Sequence, residues 1–129
     1  MAIVQEPWVV KGRVKGFEGN GLIVHQPTCD RPRTCIVATD NVPTQLVEEV
    51  TCMDVTCVRV QYRLGGMPKN ILVTSVYLPL TRGELPPSEG LTAVVGYGKR
   101  MGVPNLIGCD SNSHYFLWGS RNDNRRGVA

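Results

Sequence analysis

The sequence predicts an α/β fold in which a mixed β-sheet forms a sandwich. Two observations carry this prediction. Short apolar runs rich in β-branched residues, bounded by Gly, Pro, Asn and Asp, recur through the first 80 residues. One strand–helix–strand unit follows them, and a polar segment rich in arginine comes last. An order in which strands come first and a helical crossover follows is expected of a fold built from packed layers of secondary structure.

Composition places the chain among folded proteins that do not cross a membrane. Its 129 residues are 42% hydrophobic and 19% charged, which fits one domain or part of a larger one. No run approaches the roughly 20 apolar residues that span a bilayer, and the start does not resemble a signal peptide. The net charge is −1 over residues 1–60 and +4 over residues 61–129. We therefore expect an intracellular protein whose basic second half suits a polyanionic partner as well as it suits a solvated surface.

Five strands are predicted before residue 80 by apolar runs and by alternation. Residues 1–5 form a buried strand that ends at Glu6-Pro7, and residues 9–20 form a loop. Strands follow over residues 21–25 and 34–39, separated by a turn-rich segment. Residues 54–62 and 70–77 form a hairpin, because Val58, Val60 and Tyr62 alternate with polar residues and Gly65-Gly66 supplies the turn.

One helix is predicted over residues 88–101. Ser88 can cap its start, Leu91, Val94 and Val95 give it an apolar face, and Gly102 can end it. Three internal glycines weaken the helical pattern. A loop with prolines at 79, 86 and 87 precedes the helix, and a strand over residues 105–109 follows it.

The five cysteines, at positions 29, 35, 52, 57 and 109, are predicted to be reduced, buried thiols. Their number is odd and their spacing is wider than the pairs typical of zinc sites. His25 lies in an apolar run and is expected to be structural.

The clearest chemical signal is Asp110 with Asn112, directly after an apolar strand. In extended chain, residues i and i+2 point to the same side, so a carboxylate and a carboxamide would be presented together. Glu6 and Tyr77 also follow apolar strands. If these strand ends share one edge of the sheet, the four side chains form a site without being close in sequence.

These residue types suit metal-assisted hydrolysis of a phosphoester. Magnesium takes one or two protein carboxylates and keeps several waters, a role that Glu6 fits. Asp110 could act as general base on a water, Asn112 could orient that water or the phosphate, and Tyr77 could donate its phenol to a phosphate oxygen. His114, two residues beyond Asn112, is a further candidate that could line the site.

Two other ligand motifs fail. A calcium loop opening at Asp110 would need Gly at its sixth position and Glu at its twelfth, where Tyr115 and Arg121 stand. The glycines at 96, 98 and 102 do not have the spacing of a phosphate-binding loop and fit a helix better.

A basic, aromatic segment follows the candidate site. Trp118, Arg121, Arg125 and Arg126 could hold a nucleic-acid backbone through charge-assisted contacts, or could be a solvated tail.

Several ordered motifs resemble a known family. They are Ile3-Val4-Gln5-Glu6-Pro7-Trp8, Arg31-Pro32-Arg33-Thr34-Cys35-Ile36, Ser75-Val76-Tyr77-Leu78-Pro79, Ile107-Gly108-Cys109-Asp110-Ser111-Asn112-Ser113-His114, Leu117-Trp118-Gly119-Ser120 and Asn124-Arg125-Arg126-Gly127. Together they resemble the endonuclease domain of jockey-like non-LTR retrotransposons. That domain belongs to the endonuclease/exonuclease/phosphatase superfamily, which also contains apurinic endonucleases. The resemblance covers essentially the whole chain.

The resemblance implies a mixed-sheet α/β sandwich of that superfamily and a nuclease that nicks one DNA strand for a linked reverse transcriptase. It makes Glu6 the metal ligand, for Mg²⁺ or alternatively Mn²⁺, and Tyr77 the phosphate contact. Asp110 and Asn112 match the family's G-D-x-N motif, with Cys109 in place of its glycine. His114 matches the first member of a His-His pair whose second member is here Tyr115. A nuclear site of action follows from a DNA substrate.

Two departures lead to an expectation of inactivity. The family's domain begins with an additional strand that carries an Asn near the metal, and it ends with a Ser-Asp-His motif whose His contacts the scissile phosphate. Residues 1–129 contain neither feature, so we expect a partial domain, incomplete at both ends, with little or no nicking activity. The alternatives are a non-catalytic remnant that binds nucleic acid, and a phosphatase of the same superfamily.

Overall fold

The computed structural model describes residues 1–80 and 86–128. Within these ranges the strands and helices, in chain order, are β1 (Ala2–Gln5), β2 (Val9–Val10), β3 (Arg13–Val14), β4 (Leu22–His25), β5 (Thr34–Thr39), β6 (Thr44–Leu46), β7 (Val55–Leu64), β8 (Met67–Tyr77), α1 (Glu89–Met101), β9 (Asn105–Asp110) and α2 (Arg125–Val128). Short 3₁₀ turns lie at Glu48–Val50 and Phe116–Trp118. No helix among the described residues is long and apolar enough to cross a membrane.

Two sheets form the body of the fold. One has the order β1-β5-β4 and is antiparallel, and the other has the order β6-β7-β8-β9. The second sheet is mixed, because β8 and β9 run parallel while its other pairs are antiparallel. A parallel pair needs a crossover connection, and α1 lies in it. The predicted mixed α/β sandwich is confirmed, although the helix content is low.

Strand alternation divides the core into two layers. Val58 and Val73 face the first sheet, where they pack with Ile36. Cys57 and Leu72 point to the opposite face, where α1 covers them. The four-stranded sheet is therefore buried on both faces at its centre, and the order of layers is sheet, sheet, helix.

The predicted hairpin is confirmed, and it is longer than the sequence indicated. Gly65 and Gly66 have φ values of +58° and +79°, so they close a two-residue turn on their own. The flanking residues Leu64 and Met67 therefore pair with each other, and both strands extend up to the turn.

Helix α1 begins and ends as predicted. The Ser88 side chain accepts a hydrogen bond from the Leu91 N–H, and Gly102 ends the helix with φ +64°. The buried face was predicted incorrectly at one position: Val95 is exposed, and Tyr97 is buried instead. Tyr97 takes this place because it lies three residues after Val94, on the side that meets the sheet, where its hydroxyl accepts a hydrogen bond from Arg59.

Two helix glycines permit close packing of α1, on the sheet at Gly90 and on the segment leading to β9 at Gly98. A Cβ on Gly90 would lie 2.8 Å from Val55 Cγ2, and one on Gly98 would lie 3.2 Å from the Val103 carbonyl oxygen. Gly90 and Gly98 lower the helix propensity of α1, but they allow neighbouring residues to approach the helix closely. Because residues 96–100 are helical, they form no phosphate-binding loop.

Three segments differ from the prediction. The expected loop over residues 9–20 contains the β2–β3 ribbon, strand β6 was not predicted, and the expected C-terminal loop contains a 3₁₀ turn and α2. Each of these elements spans two to four residues, too few to show a period in the sequence. Part of the predicted proline-bearing loop, residues 81–85, lies outside the described residues.

The prediction that the five cysteines are buried is confirmed for two of them and wrong for the others. Cys35 and Cys57 are buried, Cys29 is intermediate, and Cys52 and Cys109 are exposed. Cys52 and Cys109 lie at the margins of the sheet, where strand alternation does not bury every side chain. His25 is structural in its contacts: its Nε2 lies 2.8 Å from Thr44 Oγ1, and burial lowers its pKa.

Candidate active site at the strand ends

Three of the predicted site residues lie at the same end of the two sheets. Tyr77 and Asp110 are register partners at the last position of β8 and β9. The end of β1 is tied to these strands by Gln5, whose Nε2 lies 3.2 Å from both Ser75 Oγ and the Gly108 carbonyl oxygen. Glu6 follows directly. The expected convergence of strand ends is therefore present.

Gly108 makes this convergence close. A Cβ at this position would stand 2.8 Å from Ile3 Cγ2. The absence of a side chain lets β1 lie directly on β9, so Glu6 is brought toward the edge where Asp110 ends its strand.

Arg33 joins Glu6 to Tyr77. Its carbonyl oxygen accepts a hydrogen bond of 2.8 Å from the Glu6 N–H, and its guanidinium lies 5.2 Å from the centre of the Tyr77 ring. The same guanidinium forms an ion pair with Asp54, with Nε 2.5 Å from Oδ1 and Nη2 2.8 Å from Oδ2. Both side chains are only about a quarter to a third exposed, at 32% and 25%. Arg33 therefore fixes the backbone at Glu6 and the ring of Tyr77 together.

Glu6 is exposed and has a strained backbone. Its φ is +48°, a left-handed value that non-glycine residues seldom adopt. The hydrogen bond to Arg33 holds this conformation at the turn out of β1. Strain of this kind is often found at functional sites, because the surrounding structure must maintain it.

The donor set suits Mg²⁺ and does not form a closed cage. Among residues 1–80 and 86–128, no three His, Cys, Asp or Glu side chains are grouped closely enough to hold a metal. Magnesium, however, needs only one or two carboxylates and completes its shell with water and substrate oxygens. Glu6 would provide a hard oxygen ligand of this kind, since it is exposed to solvent.

The geometry of Asp110 and Asn112 differs from the prediction. The chain does not continue extended beyond Asp110: Asn112 has φ +49°, and its N–H donates to Asp110 Oδ1 over 3.0 Å. The Asn112 side-chain Nδ2 donates to the Leu78 carbonyl oxygen. Asn112 thus orients the carboxylate through its backbone and anchors the turn to β8, so the strand alternation used in the sequence argument does not apply here.

Asn124 holds the segment after Asn112 in place. Its Nδ2 donates to the Asn112 carbonyl oxygen, and its Oδ1 accepts from the N–H groups of His114 and Gly127. The segment is closely packed there, since a Cβ on Gly127 would overlap the His114 backbone. One side chain therefore secures the loop that carries His114 beside the site.

The C-terminal residues divide into exposed and inward-facing groups. Arg121, Arg125 and His114 are exposed, as is Trp118 at 65%. Arg126 is half-buried and donates to the carbonyl oxygens of Leu78, Pro79 and Ser111. The structure therefore gives Arg126 a role in holding the loop, in contrast to the expected contact with nucleic acid.

A hollow of about 430 Å³ lies between the end of β8, the start of α1 and Arg126. Tyr77, Asp54 and Ser88 are among its lining residues. Glu6 lines a different depression, of about 590 Å³, together with Arg33. The Arg33–Asp54 ion pair thus contributes one residue to each depression.

The nearby thiol is not an activated nucleophile. Partial burial and the adjacent Asp110 carboxylate raise the pKa of the Cys109 thiol, although Arg126 acts in the opposite direction. At neutral pH the thiol is therefore protonated.

Sequence reasoning missed Arg33, Asp54 and Asn124 as organising residues. Arg33 and Asn124 stand within motifs that carry the family resemblance, and this was a usable signal. No such signal marked Asp54, because its partner Arg33 lies 21 residues away in the other sheet.

Comparison with known proteins supports the fold. The chain superposes on the endonuclease domain of TRAS1, a telomere-specific non-LTR retrotransposon, with a TM-score of 0.66 and 21% sequence identity. The match covers 98% of this chain and 52% of that one, so the chain spans about half the length of the solved structure. No family model and no curated protein sequence matches the chain. The resemblance found in the motifs is confirmed at the level of the fold.

Proposed function

We propose that this chain forms part of a magnesium-dependent DNA endonuclease domain of a non-LTR retrotransposon, acting in the nucleus beside a linked reverse transcriptase. The observation that carries the proposal is the convergence of Glu6, Tyr77 and Asp110 at one end of the sandwich, where Arg33 contacts the first two. The TRAS1 endonuclease domain has the same fold, and its name indicates a nuclease of a retrotransposon.

The residues can take distinct roles in phosphodiester hydrolysis. Glu6 would hold Mg²⁺ with Asp110 near it, and the metal would supply Lewis-acid polarisation of the phosphate. Asp110, oriented by the Asn112 N–H, would accept the proton of the attacking water. The Tyr77 hydroxyl would donate to a phosphate oxygen, with its ring fixed under the Arg33 guanidinium. Arg121, Arg125 and Trp118 would contact the DNA backbone.

We expect residues 1–129 to nick DNA weakly or not at all. Residues 1–129 contain no Ser-Asp-His motif, so a polypeptide of these residues alone does not supply the contact with the scissile phosphate that this motif makes in the family. Incubation with supercoiled plasmid and Mg²⁺ should leave the fraction of nicked circles at the level of the buffer control. Nicking that disappears in Glu6→Gln and in Asp110→Asn would refute the expected inactivity, and it would identify the chain as an active nuclease.

Metal binding can be tested without activity. Mn²⁺ should broaden the backbone amide NMR signals around Glu6, and Glu6→Gln should weaken this binding by about tenfold or more, because a ligand carboxylate is removed. Glu48→Gln is the matched control, since Glu48 is exposed on a 3₁₀ turn elsewhere. Equal broadening in Glu6→Gln and the unsubstituted protein would argue against Glu6 as the ligand.

The main alternative is a non-catalytic domain that only binds nucleic acid. The exposed Arg121, Arg125 and Trp118 favour it, because they could hold a nucleic-acid backbone without a metal. Binding that is independent of Mg²⁺ and falls steeply with salt, together with no Mn²⁺ broadening at Glu6, would support this alternative. A phosphatase acting on a small phosphoester is less compatible with the exposed Trp118 and its neighbouring arginines.

A further inference from the structure

A groove lined by cations and carboxylates, with a small positive net charge, runs along the side of Glu6. The depression of about 590 Å³ that Glu6 lines also contains Lys11, Asp30, Arg31 and Arg33. An adjoining depression of about 410 Å³ shares Lys11 and Asp30 and adds a further cation, Arg13. Arg33 is neutralised by Asp54, which leaves three cations, at positions 11, 13 and 31, against Glu6 and Asp30.

The wall that carries Lys11 is held rigidly. Lys11 and Gly12 form the two-residue turn between β2 and β3. The Gln26 side chain accepts from the Val14 N–H over 2.9 Å and donates to the Gly12 carbonyl oxygen over 2.7 Å. A Cβ on Gly12 would lie 3.1 Å from the Cys29 carbonyl oxygen, so the turn is packed against the segment that leads to Asp30 and Arg31.

Lysine is an unfavourable residue type for the backbone conformation found at position 11. Its φ is +50° and that of Gly12 is +75°, values typical of a type I′ turn, in which Asn or Gly is preferred at the first position. Lysine has neither the short polar side chain nor the freedom of glycine that this conformation favours. Strained backbone is often found at functional sites, and at Lys11 it is combined with a charge that lines this groove.

We propose that Lys11 and Arg31 bind the sugar-phosphate backbone of DNA in this groove and lead the strand to Glu6. The inference rests on the proposed function and adds a second, sequence-independent contact region to it. The groove is preformed and lined by flexible cations, which suits phosphates better than base edges. Asp30 lies among these cations, and its negative charge limits their attraction for DNA phosphates.

Fluorescence anisotropy with a labelled 20-base-pair duplex, over a KCl series in EDTA, tests the groove apart from metal binding. Lys11→Gln combined with Arg31→Gln should weaken binding about tenfold at low salt and reduce the slope of log K against log [KCl] by about 2, since two phosphate contacts are lost. Lys69→Gln with Lys99→Gln removes the same charge from exposed positions at the other end of the fold and should stay within about twofold of the parent. Asp30→Asn should increase the affinity by about two- to threefold.

Lys11→Asn separates charge from structure. It should raise Tm by about 2 °C, because Asn suits the turn, and weaken DNA binding. A purely structural Lys11 would not give these opposite effects. Inorganic phosphate at millimolar concentration should not displace the duplex if the groove binds a backbone with several phosphates.

The outcomes distinguish the two proposals. If the parent binds the duplex and the Lys11/Arg31 double variant binds with the same affinity and salt slope, the groove is refuted and the proposed function stands. An equal loss in the Lys69/Lys99 control would show an effect of net charge alone and would also refute the groove. No binding by the parent would overturn both.

Discussion

Arg33→Met is expected to lower the free energy of unfolding by about 2 kcal/mol, because it leaves the half-buried Asp54 carboxylate without its partner. Methionine keeps much of the aliphatic packing and removes the charge that lies over Tyr77. The Arg33 carbonyl that accepts from the Glu6 N–H belongs to the backbone and is kept in this variant, so we expect Mn²⁺ broadening around Glu6 to persist. Urea denaturation and the NMR titration measure the two effects.

Two further variants test whether the stability loss in Arg33→Met comes from the ion pair with Asp54. Arg63→Met changes an exposed arginine on the β7–β8 hairpin and should alter stability by less than about 0.5 kcal/mol. Arg33→Met combined with Asp54→Leu should recover part of the lost stability, since it removes both charges. If Arg33→Met were as stable as the parent, the ion pair would not organise the site.

Asn124→Ala should release the segment after Asn112 while the sandwich stays folded. The substitution removes three side-chain hydrogen bonds, to Asn112, His114 and Gly127. We expect a local loss of about 2 kcal/mol, because the backbone groups left without partners are only partly compensated by water. Hydrogen exchange should accelerate at the amides of residues 112–127 and remain slow in β7 and β8.

The matched control is Asn122→Ala, an exposed asparagine two residues earlier. It should leave hydrogen exchange unchanged. Asn124→Asp keeps the acceptor for His114 and Gly127 but places a second oxygen against the Asn112 carbonyl, so exchange should accelerate most near Asn112. Equal exchange rates in Asn124→Ala and the parent would mean that other contacts secure this segment.

Much of the fold was predictable because its signals are local. The β7–β8 hairpin follows from two adjacent glycines between alternating strands, and the boundaries of α1 follow from Ser88 and Gly102. The β2–β3 ribbon and β6 were not predicted, because elements of two or three residues carry no period. The buried position of Tyr97 was also missed, since several faces of one helix are apolar and only the sheet selects among them.

The convergence of strand ends was predictable from the sequence, and the detailed geometry there was less so. Glu6, Tyr77 and Asp110 were identified as polar residues that end apolar strands, and the structure places Tyr77 beside Asp110 with β1 tied to their strands. Asn112 was expected to extend from the strand and instead turns back to Asp110. Arg126 was expected to face nucleic acid and instead binds three carbonyl oxygens of its own chain.

The sequence alone determined which residues end the strands, where the hairpin turns and where the helix is capped, since each depends on neighbours a few positions away. The tertiary structure alone decided that Arg33 joins Glu6, Tyr77 and Asp54, that Asn124 secures the final segment, and that Lys11 and Arg31 share a groove with Glu6. These relations connect separate sheets and loops. They depend on how the layers pack, including the direct contact between Ile3 and Gly108, and no local pattern in the sequence encodes such packing.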